Sequence, residues 1–450
     1  MENFFGTDGV RSRAGHPPMD AETIVRLGKA WGVWLLSQDE QKEGAPCVII
    51  GKDTRESGDM LAAALASGIM QAGVDVVDAG VLPTPAVALM VRDHKAAGGA
   101  VISASHNPFW DNGVKFFNHE GFKLTDSEEA SIEGILRSAE IFVQGSIGRM
   151  RASEDGLSSY VRFIVERAGE GESLSGLRLV LDTAHGAMYQ AAPEALRRLG
   201  AEVEVMAADP DGRNINDGVG SQHTEALARQ VRLTGAHAGM AFDGDGDRLI
   251  AVDASGNVLR GDLLLAIFAL EAKKGGRLNP PVLVSTVMSN LGLTEALRSA
   301  GISHEITAVG DRKVLERMRE KGGRIGGEDS GHMIFLDPHC TGDGLFAAVR
   351  LARLCRKTPL EELALCMKTY PQVLINVPVR EKPPLEELRE VQESILASEN
   401  ILDGKGRILV RYSGTESLCR IMVEAASEEK ALRACAPIQA ALLAAIGGVL

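Results

Sequence analysis

Residues 47–80 read CVIIGKDTRESGDMLAAALASGIMQAGVDVVDAG. The apolar run 47–50 breaks at Gly51 into polar residues, the stretch 59–72 carries apolar residues at helical spacing, and Gly73 precedes a second apolar run. Continuous apolar strands around a helix are the mark of a parallel sheet covered on both faces. A glycine at the helix end fits the left-handed cap that such helices favour. The pattern returns in LRLVLDTAHGAMYQAAPEALRRLGAEVEVMAAD (177–209) and in PVLVSTVMSNLGLTEALRSAGISHEITAVG (281–310), with Gly200 and Gly301 in the place of Gly73. This predicts three similar α/β domains with mixed, mainly parallel sheets. Polar residues gather just beyond their strands, where such sheets bind ligands.

Polar, turn-rich stretches separate these units. GSIGRMRASEDG (145–156) places a first boundary near 150, and VDASGNVLRGD (252–262) a second near 253. The remainder alternates VLINVPV, a helical stretch, RILVRYSG, CRIMVEAA and a final helical stretch. The expected division is therefore 1–150, 151–253, 254–366 and a C-terminal α+β domain at 367–450.

Bulk properties narrow the function. Four domains suit 450 residues, since single cores stop growing well below that length. A net charge of -13 lacks the basic face that nucleic acid or an anionic membrane requires. The six cysteines form no C-x-x-C pair, which argues against a disulfide framework or a zinc site and for a reducing cytoplasm. The charged, glycine-containing start MENFFGTDGVRS is no secretory signal, and no apolar run is long enough to span a bilayer.

Four segments carry chemistry. Asp243-Gly-Asp245-Gly-Asp247-Arg248 alternates carboxylates with glycines, which lets a loop fold around one cation. An all-oxygen set selects a hard ion, Mg²⁺ rather than zinc, and Mg²⁺ usually keeps positions for phosphate oxygens. An Asp-Gly surface turn and a calcium loop are the other readings, although a calcium loop's bidentate Glu is missing. Ser103-Ala-Ser105-His106-Asn107-Pro108 follows the apolar GGAVI and reads as a strand-end loop, because Pro108 biases Asn107 away from helix. A serine there suits a phosphoryl carrier if His106 and Lys115 supply cationic support; a plain turn is the alternative.

The third segment is Arg411-Tyr412-Ser413-Gly414-Thr415-Glu416, where an arginine fork, hydroxyls and a glycine amide make an anion nest. Arg420 on the next strand offers a second fork. A Ser-Gly hairpin turn is the plainer reading. The fourth, Glu328-Asp329-Ser330-Gly331-His332, suits sugar hydroxyls, or is simply a solvated loop. GKDTR (51–55) and FGTDGVR (5–11) are weaker: Asp53 or Ser57 reads as a helix cap and Arg11 as a surface residue.

Taken in order, FGTDGVR, GKDTR, SASHNP, DGDGDR, GEDSGH and RYSGTE resemble the loops of the α-D-phosphohexomutase superfamily along essentially the whole chain. The resemblance implies a four-domain, heart-shaped enzyme whose central cleft receives one loop from each domain. It implies that Ser105 carries the phosphoryl group and that Asp243, Asp245 and Asp247 hold Mg²⁺ together with a phosphoserine oxygen. Glu328 and Ser330, with His332 in the same loop, would face the sugar. Arg411, Ser413, Gly414 and Thr415, supported by Arg420, would grip the non-reacting phosphate. Arg11, His106, Lys115 and Arg248 would line the reacting end, with Lys115 a candidate base.

The opening FFGTDGVRS, TVMSN (286–290) and VGDR (309–312) look like the phosphoglucosamine mutase branch. In the phosphomannomutase/phosphoglucomutase branch, the alternative, a lysine and a histidine tend to replace Met288 and Asp311. Departures from the usual pattern are Ser12 for glycine, Asp329 for glutamine and Tyr412 for proline. The implied reaction interconverts glucosamine 6-phosphate and glucosamine 1-phosphate through a 1,6-bisphosphate, feeding UDP-N-acetylglucosamine and cell-wall precursors. Its partner is a small amino-sugar phosphate, and the enzyme is a monomer or homodimer. Fewer cations near Met288 and Asp311 would favour the ammonium of glucosamine, as would an inward-facing Asp329. A metal-dependent phosphatase would need no SASHNP or RYSGTE segment, and a non-catalytic sensor would be expected to have lost Ser105 or an aspartate.

Overall fold

The sequence repeat is a repeat of sheet topology. The computed structural model describes residues 4–6, 8–38, 46–141, 145–413 and 417–448. In the first sheet Cys47–Lys52 is flanked in parallel by Asp75–Val81 and Gly98–Ile102, and Asp111–Asn118 adds antiparallel beyond the latter. The second sheet sets Arg178–Asp182 between Glu202–Met206 and Ala238–Phe242, followed by antiparallel Leu249–Asp253. The third sets Val282–Thr286 between Ser303–Thr307 and Ile325–Gly327, followed by antiparallel Met333–Phe335. Edge strands Val10–Arg13 and Met150–Ala152 complete the first sheet, and Val258–Leu259 the second.

This shared order gives three loops equivalent places. Residues 103–110, 243–248 and 328–332 each connect the last parallel strand to the antiparallel strand that follows. Parallel strands of one sheet point the same way, so these loops leave at its carboxyl end, where α/β sheets bind ligands. The helices between strands end as the glycines suggested: Gly73, Gly200 and Gly301 have φ of +96°, +94° and +67°. The capping expectation does not hold. Ser57 stands at the start of the helix Gly58–Gln71 but makes no cap bond, and its Oγ accepts from Asn112 Nδ2 at 2.8 Å instead. Asp53 is turned to Arg55 and Ser103.

The chain divides into two compact units, Met1–Val287 with Ser303–Leu365, and Met288–Ile302 with Cys366–Leu450. The first holds all three sheets above. Its largest apolar cluster packs Trp31, Leu27, Leu65, Ile69 and Phe116 around the first sheet, with Trp31 and Phe116 meeting edge to face at 4.7 Å. The second unit is an antiparallel sheet with Leu418–Ala425 between Gln372–Pro378 and Gly406–Tyr412, covered by helices Arg389–Leu402 and Glu428–Ile446.

The helix Leu291–Ser299 belongs to this second unit for a visible reason. Glu424, fully buried in the central strand, accepts from Leu291 N at 3.0 Å and from Arg407 Nε at 3.1 Å. Asn290 caps the helix by accepting from Gly292 N and also bonds both backbone groups of Tyr370. A buried carboxylate satisfied in this way holds the segment firmly, since breaking such a pair strands a buried charge.

Candidate active site

The loop after Gly98–Ile102 carries Ser105, which is 1% exposed and has a φ of +52°, a region few non-glycine residues enter. Ser105 Oγ donates to Asp243 Oδ2 at 2.6 Å and lies 3.3 Å from His106 Nδ1. Ser103, the other serine of the loop, is turned away and donates to Asp53 Oδ2 at 2.5 Å. The loop 243–248 approaches from the second repeat. Its backbone is pinned by Ala187 N, which donates to Gly244 O at 2.8 Å. A Cβ on Gly186 would come within 2.4 Å of that same oxygen, so only glycine fits.

Asp243, Asp245 and Asp247 are buried, and one oxygen of each lies within 4.8 Å of the others. Lys115, on the antiparallel strand of the first sheet, donates to Asp245 Oδ2 at 2.7 Å and to Asp247 Oδ2 at 3.3 Å. Thr84 Oγ1 also donates to Asp245 Oδ2, at 2.5 Å, and Arg248 N donates to Asp243 Oδ1 at 3.2 Å. Asp245 Oδ1 and Asp247 Oδ1 are nevertheless buried without a hydrogen bond. Orphaned carboxylate oxygens carry a full desolvation cost unless a cation meets them. Three converging carboxylates with free oxygens fit a hard divalent ion.

The charges are strongly biased. Burial, reinforced by Asp247 and Asp245, drives the Asp243 carboxyl well above its usual range. Burial also opposes ionisation of Asp247, but Lys115 and His332 outweigh it and hold the group well below normal. Lys115 loses hydration in the same way, yet Asp245, Asp8 and Asp247 keep it a firm ammonium. In this state it donates hydrogen bonds to the carboxylates of Asp245 and Asp247. His106 is the reverse: burial, then Arg248 and Arg11, lower it to about 4, so it is neutral at pH 7. The expectation of a cationic His106 beside Ser105 is thereby corrected, and the positive charge comes from Arg248 and Arg11.

The third repeat closes the site. Leu249 N donates to Gly331 O at 3.0 Å, and the backbones of Arg248 and His332 bridge the two loops. His332 is buried, with Nδ1 3.5 Å from Asp247 Oδ2 and Nε2 3.6 Å from Asp311 Oδ2. Asp311 pairs with Lys123, Lys123 with Asp8, and Asp8 with Arg11 and Lys115. Arg11 is thus no plain surface residue. Its guanidinium pairs with Asp8, and its Nε is buried without a hydrogen bond. Glu328 Oε1 accepts from Gly310 N at 3.0 Å, and Ser330 Oγ is buried without a partner.

Asp311 stands among cations, paired with Lys123 and with His332 Nε2 3.6 Å from its carboxylate, so it offsets positive charge there. Asp329 has its carboxylate 4.0 Å from Arg260, at the start of the helix Gly261–Lys274, and Gly261 N donates to its carbonyl at 3.1 Å.

In the second unit Arg411 and Arg420 stand directly opposite each other on adjacent strands. Burial and then the Arg420 charge lower the Arg411 pKa. Like charges in cross-strand register repel, and an anion between them relieves that. Ser413 is buried, and its N–H donates to Leu418 O at 2.8 Å. Tyr412 donates its hydroxyl to Pro383 O at 2.7 Å, so the residue in place of the usual proline braces the strand. Gly414 and Thr415 lie outside the described residues.

Four family models match in succession. They are domains I, II and III of phosphoglucomutase/phosphomannomutase, each of alpha/beta/alpha type, over residues 2–141, 158–256 and 260–370, and the C-terminal domain over 374–441. The chain belongs to the phosphoglucomutase/phosphomannomutase family. Within it, the phosphoglucosamine mutase of Syntrophus aciditrophicus is 46% identical over 444 residues, covering 97% of this chain and 98% of that one. The phosphoglucosamine mutase of Desulforudis audaxviator is 48% identical over 435 residues, with 95% of each covered. A solved phosphoglucomutase/phosphomannomutase family protein from Burkholderia thailandensis superposes with a TM-score of 0.82 at 25% identity, covering 98% of this chain and 97% of that one. Among the described residues no helix is long and apolar enough to cross a membrane.

Several residues that shape the site in this chain carry no functional signal in the sequence. Thr84 and Asn216 bond the loops directly from segments with no motif of their own. Lys123 joins through Asp8 and Asp311, and Asp8 lies in FGTDGVR, where its own role is not legible. Lys123 alone left a trace, as a lysine shortly after the strand Asp111–Asn118 with a glycine turn between.

Proposed function

We propose that this chain is a phosphoglucosamine mutase, interconverting glucosamine 6-phosphate and glucosamine 1-phosphate through a phosphoserine at Ser105. The observation that carries the mechanism is the 2.6 Å bond from Ser105 Oγ to Asp243, one of three clustered carboxylates. The identity of its full-length relatives carries the sugar. Asp243, Asp245, Asp247 and a phosphoserine oxygen would hold Mg²⁺, which supplies charge neutralisation for phosphoryl transfer.

The residues then divide the work. In the forward half-reaction the bond from phosphorus to Ser105 Oγ breaks as a bond to the sugar's free C1 or C6 oxygen forms, and the proton of that sugar hydroxyl ends on Ser105 Oγ, which leaves as the free serine hydroxyl. The 1,6-bisphosphate turns end for end, and its other phosphoryl group returns to Ser105. Such transfer is governed by alignment and charge stabilisation. Arg248, Arg11 and the Lys115 ammonium provide cationic surroundings, and neutral His106 hydrogen-bonds at Oγ without competing as a charge. Ser330, whose buried hydroxyl lacks a protein partner, and Glu328 receive sugar hydroxyls. His332 acts mainly between Asp247 and Asp311. Arg411 and Arg420, with Ser413, Gly414 and Thr415, hold the phosphate that is not reacting. The setting is the cytoplasm, and the product feeds amino-sugar nucleotide and cell-wall precursor synthesis.

The direct test is one coupled assay over glucosamine, N-acetylglucosamine, glucose and mannose phosphates with trace bisphosphate. A single charged contact at C2 is worth roughly 1.5–3 kcal/mol, so kcat/KM for glucosamine phosphate should exceed those for glucose and mannose phosphates by at least ~10-fold. An equal or reversed ranking would assign the chain to the glucose/mannose branch. A second prediction concerns the arginine pair. Replacing Arg411 by alanine should raise KM for the sugar phosphate by roughly tenfold or more, the value of one charge-assisted contact. A KM within twofold of the parent would remove Arg411 from phosphate binding.

A further inference from the structure

Both backbone groups of Ser105 are held by residues that have no part in the reaction as just described. Ser105 N donates to Ser103 Oγ at 2.9 Å, and Ser103 Oγ donates to Asp53 Oδ2 at 2.5 Å. Asp53 Oδ2 accepts from Arg55 Nε at 2.9 Å, and Arg55 Nη2 returns to the Ser105 carbonyl at 3.0 Å. The ring is closed. The same guanidinium donates to the carbonyls of Asn107 at 2.8 Å and Asp111 at 3.0 Å, and also to that of Pro108.

A second donor reaches the same two carbonyls from the other side. Asn216, on a loop of the second repeat, donates Nδ2 to Ser105 O at 2.9 Å and to Asn107 O at 3.1 Å. Gly244 of the carboxylate loop lies against this junction: a Cβ there would sit 2.5 Å from Ser105 O and 2.9 Å from Asn216 Nδ2. The carbonyl of the phosphoryl-carrying residue is therefore gripped where the serine loop meets the carboxylate loop.

Left-handed backbone at a serine persists only where the surroundings over-determine it. Here they also face a changing load. Adding or removing a phosphoryl group alters the charge at Oγ by nearly two units, so the forces on the loop reverse in each half-reaction. We infer that Arg55 and Asn216 are positioning residues that clamp the Ser105 main chain, so that Oγ keeps one aim with and without its phosphoryl group. The inference rests on the reading of Ser105 as the carrier. An anchor for the fold alone would be met by Arg55, which is fully enclosed. It would not need a half-buried asparagine from another repeat to duplicate two of its bonds.

The test uses the full-length protein and glucosamine 1,6-bisphosphate, following Ser105 phosphorylation by rapid quench and intact mass. Steady-state kcat and KM and the Tm are measured in parallel. Asn216 has a φ of +59°, so Asn216→Gly removes the amide while keeping the backbone at ease, and Asn216→Asp keeps the shape but turns an acceptor toward both carbonyls. Both variants should slow Ser105 phosphorylation, Asn216→Gly by about tenfold and Asn216→Asp by more, with KM within about twofold and Tm nearly unchanged. Arg55→Lys, which keeps the charge and loses the fork, should slow it as well. Phosphorylation of both Asn216 variants at the parent rate overturns the clamp, and so does a loss that merely tracks a falling Tm. If the parent protein takes no phosphate on Ser105, the carrier reading fails first and the clamp with it.

Discussion

Replacing Ser105 by alanine is expected to abolish mutase turnover rather than reduce it. The reaction needs one atom that can both lose and regain a phosphoryl group, and covalent relay has no partial substitute once that atom is gone. Ser103 is no stand-in, because its hydroxyl is committed to Asp53 and to the N–H of Ser105. The fold should survive. The mutation removes one hydrogen bond to Asp243, which keeps the donor Arg248 N on its other oxygen, so the loss is of the order of 1–2 kcal/mol. Intact-mass analysis of the parent protein should find a phosphorylated fraction that localises to residue 105 after digestion. The Ser105→Ala protein should show neither phosphate nor turnover, with a Tm lowered by a few degrees at most. Phosphate on Ser103 alone would show that the wrong serine was chosen.

What made the fold legible was the apolar continuity of strands such as Cys47–Ile50 and Leu179–Leu181, since burial on both faces leaves no other reading. The antiparallel strand that completes the first repeat was harder to see. Asp111–Asn118 opens on Asp-Asn-Gly and carries Lys115, a pattern that reads as a turn until the buried carboxylates that pair with the lysine are known. The three aspartates were legible because spacing alone brings them together. Their regulators were not: Thr84 lies 161 residues from Asp245, and Asn216 lies 111 from Ser105. Protonation was equally hidden. The charge of His106 depends on how deeply it is buried and on Arg248 and Arg11, and no local pattern records that. The partner of Asp311 was hidden for the same reason, since Lys123 comes from another repeat.

Stripping divalent metal from the protein should stop turnover, and Asp245→Asn should lower kcat by at least ~100-fold, a typical loss when one electrostatic contact to a transferring group is removed. Two oxygens, Asp245 Oδ1 and Asp247 Oδ1, are buried by the protein and left without a hydrogen bond. Lys115 and Thr84 occupy the other oxygen of Asp245, so they orient the carboxylate and leave Oδ1 for a ligand. Asparagine keeps the size of the side chain and removes the charge. Its effect therefore separates ion binding from packing. A readout independent of activity follows from linkage: a ligand that binds the folded state alone stabilises it, by about 2.7 kcal/mol at a hundred times its Kd. Mg²⁺ should accordingly raise the Tm of the parent protein by several degrees, and that increment should shrink in Asp245→Asn at the same concentration. Full turnover by EDTA-treated, metal-free protein would eliminate the metal assignment. A Tm indifferent to Mg²⁺ in the parent would show that the three carboxylates are satisfied by Lys115 and Arg248 alone.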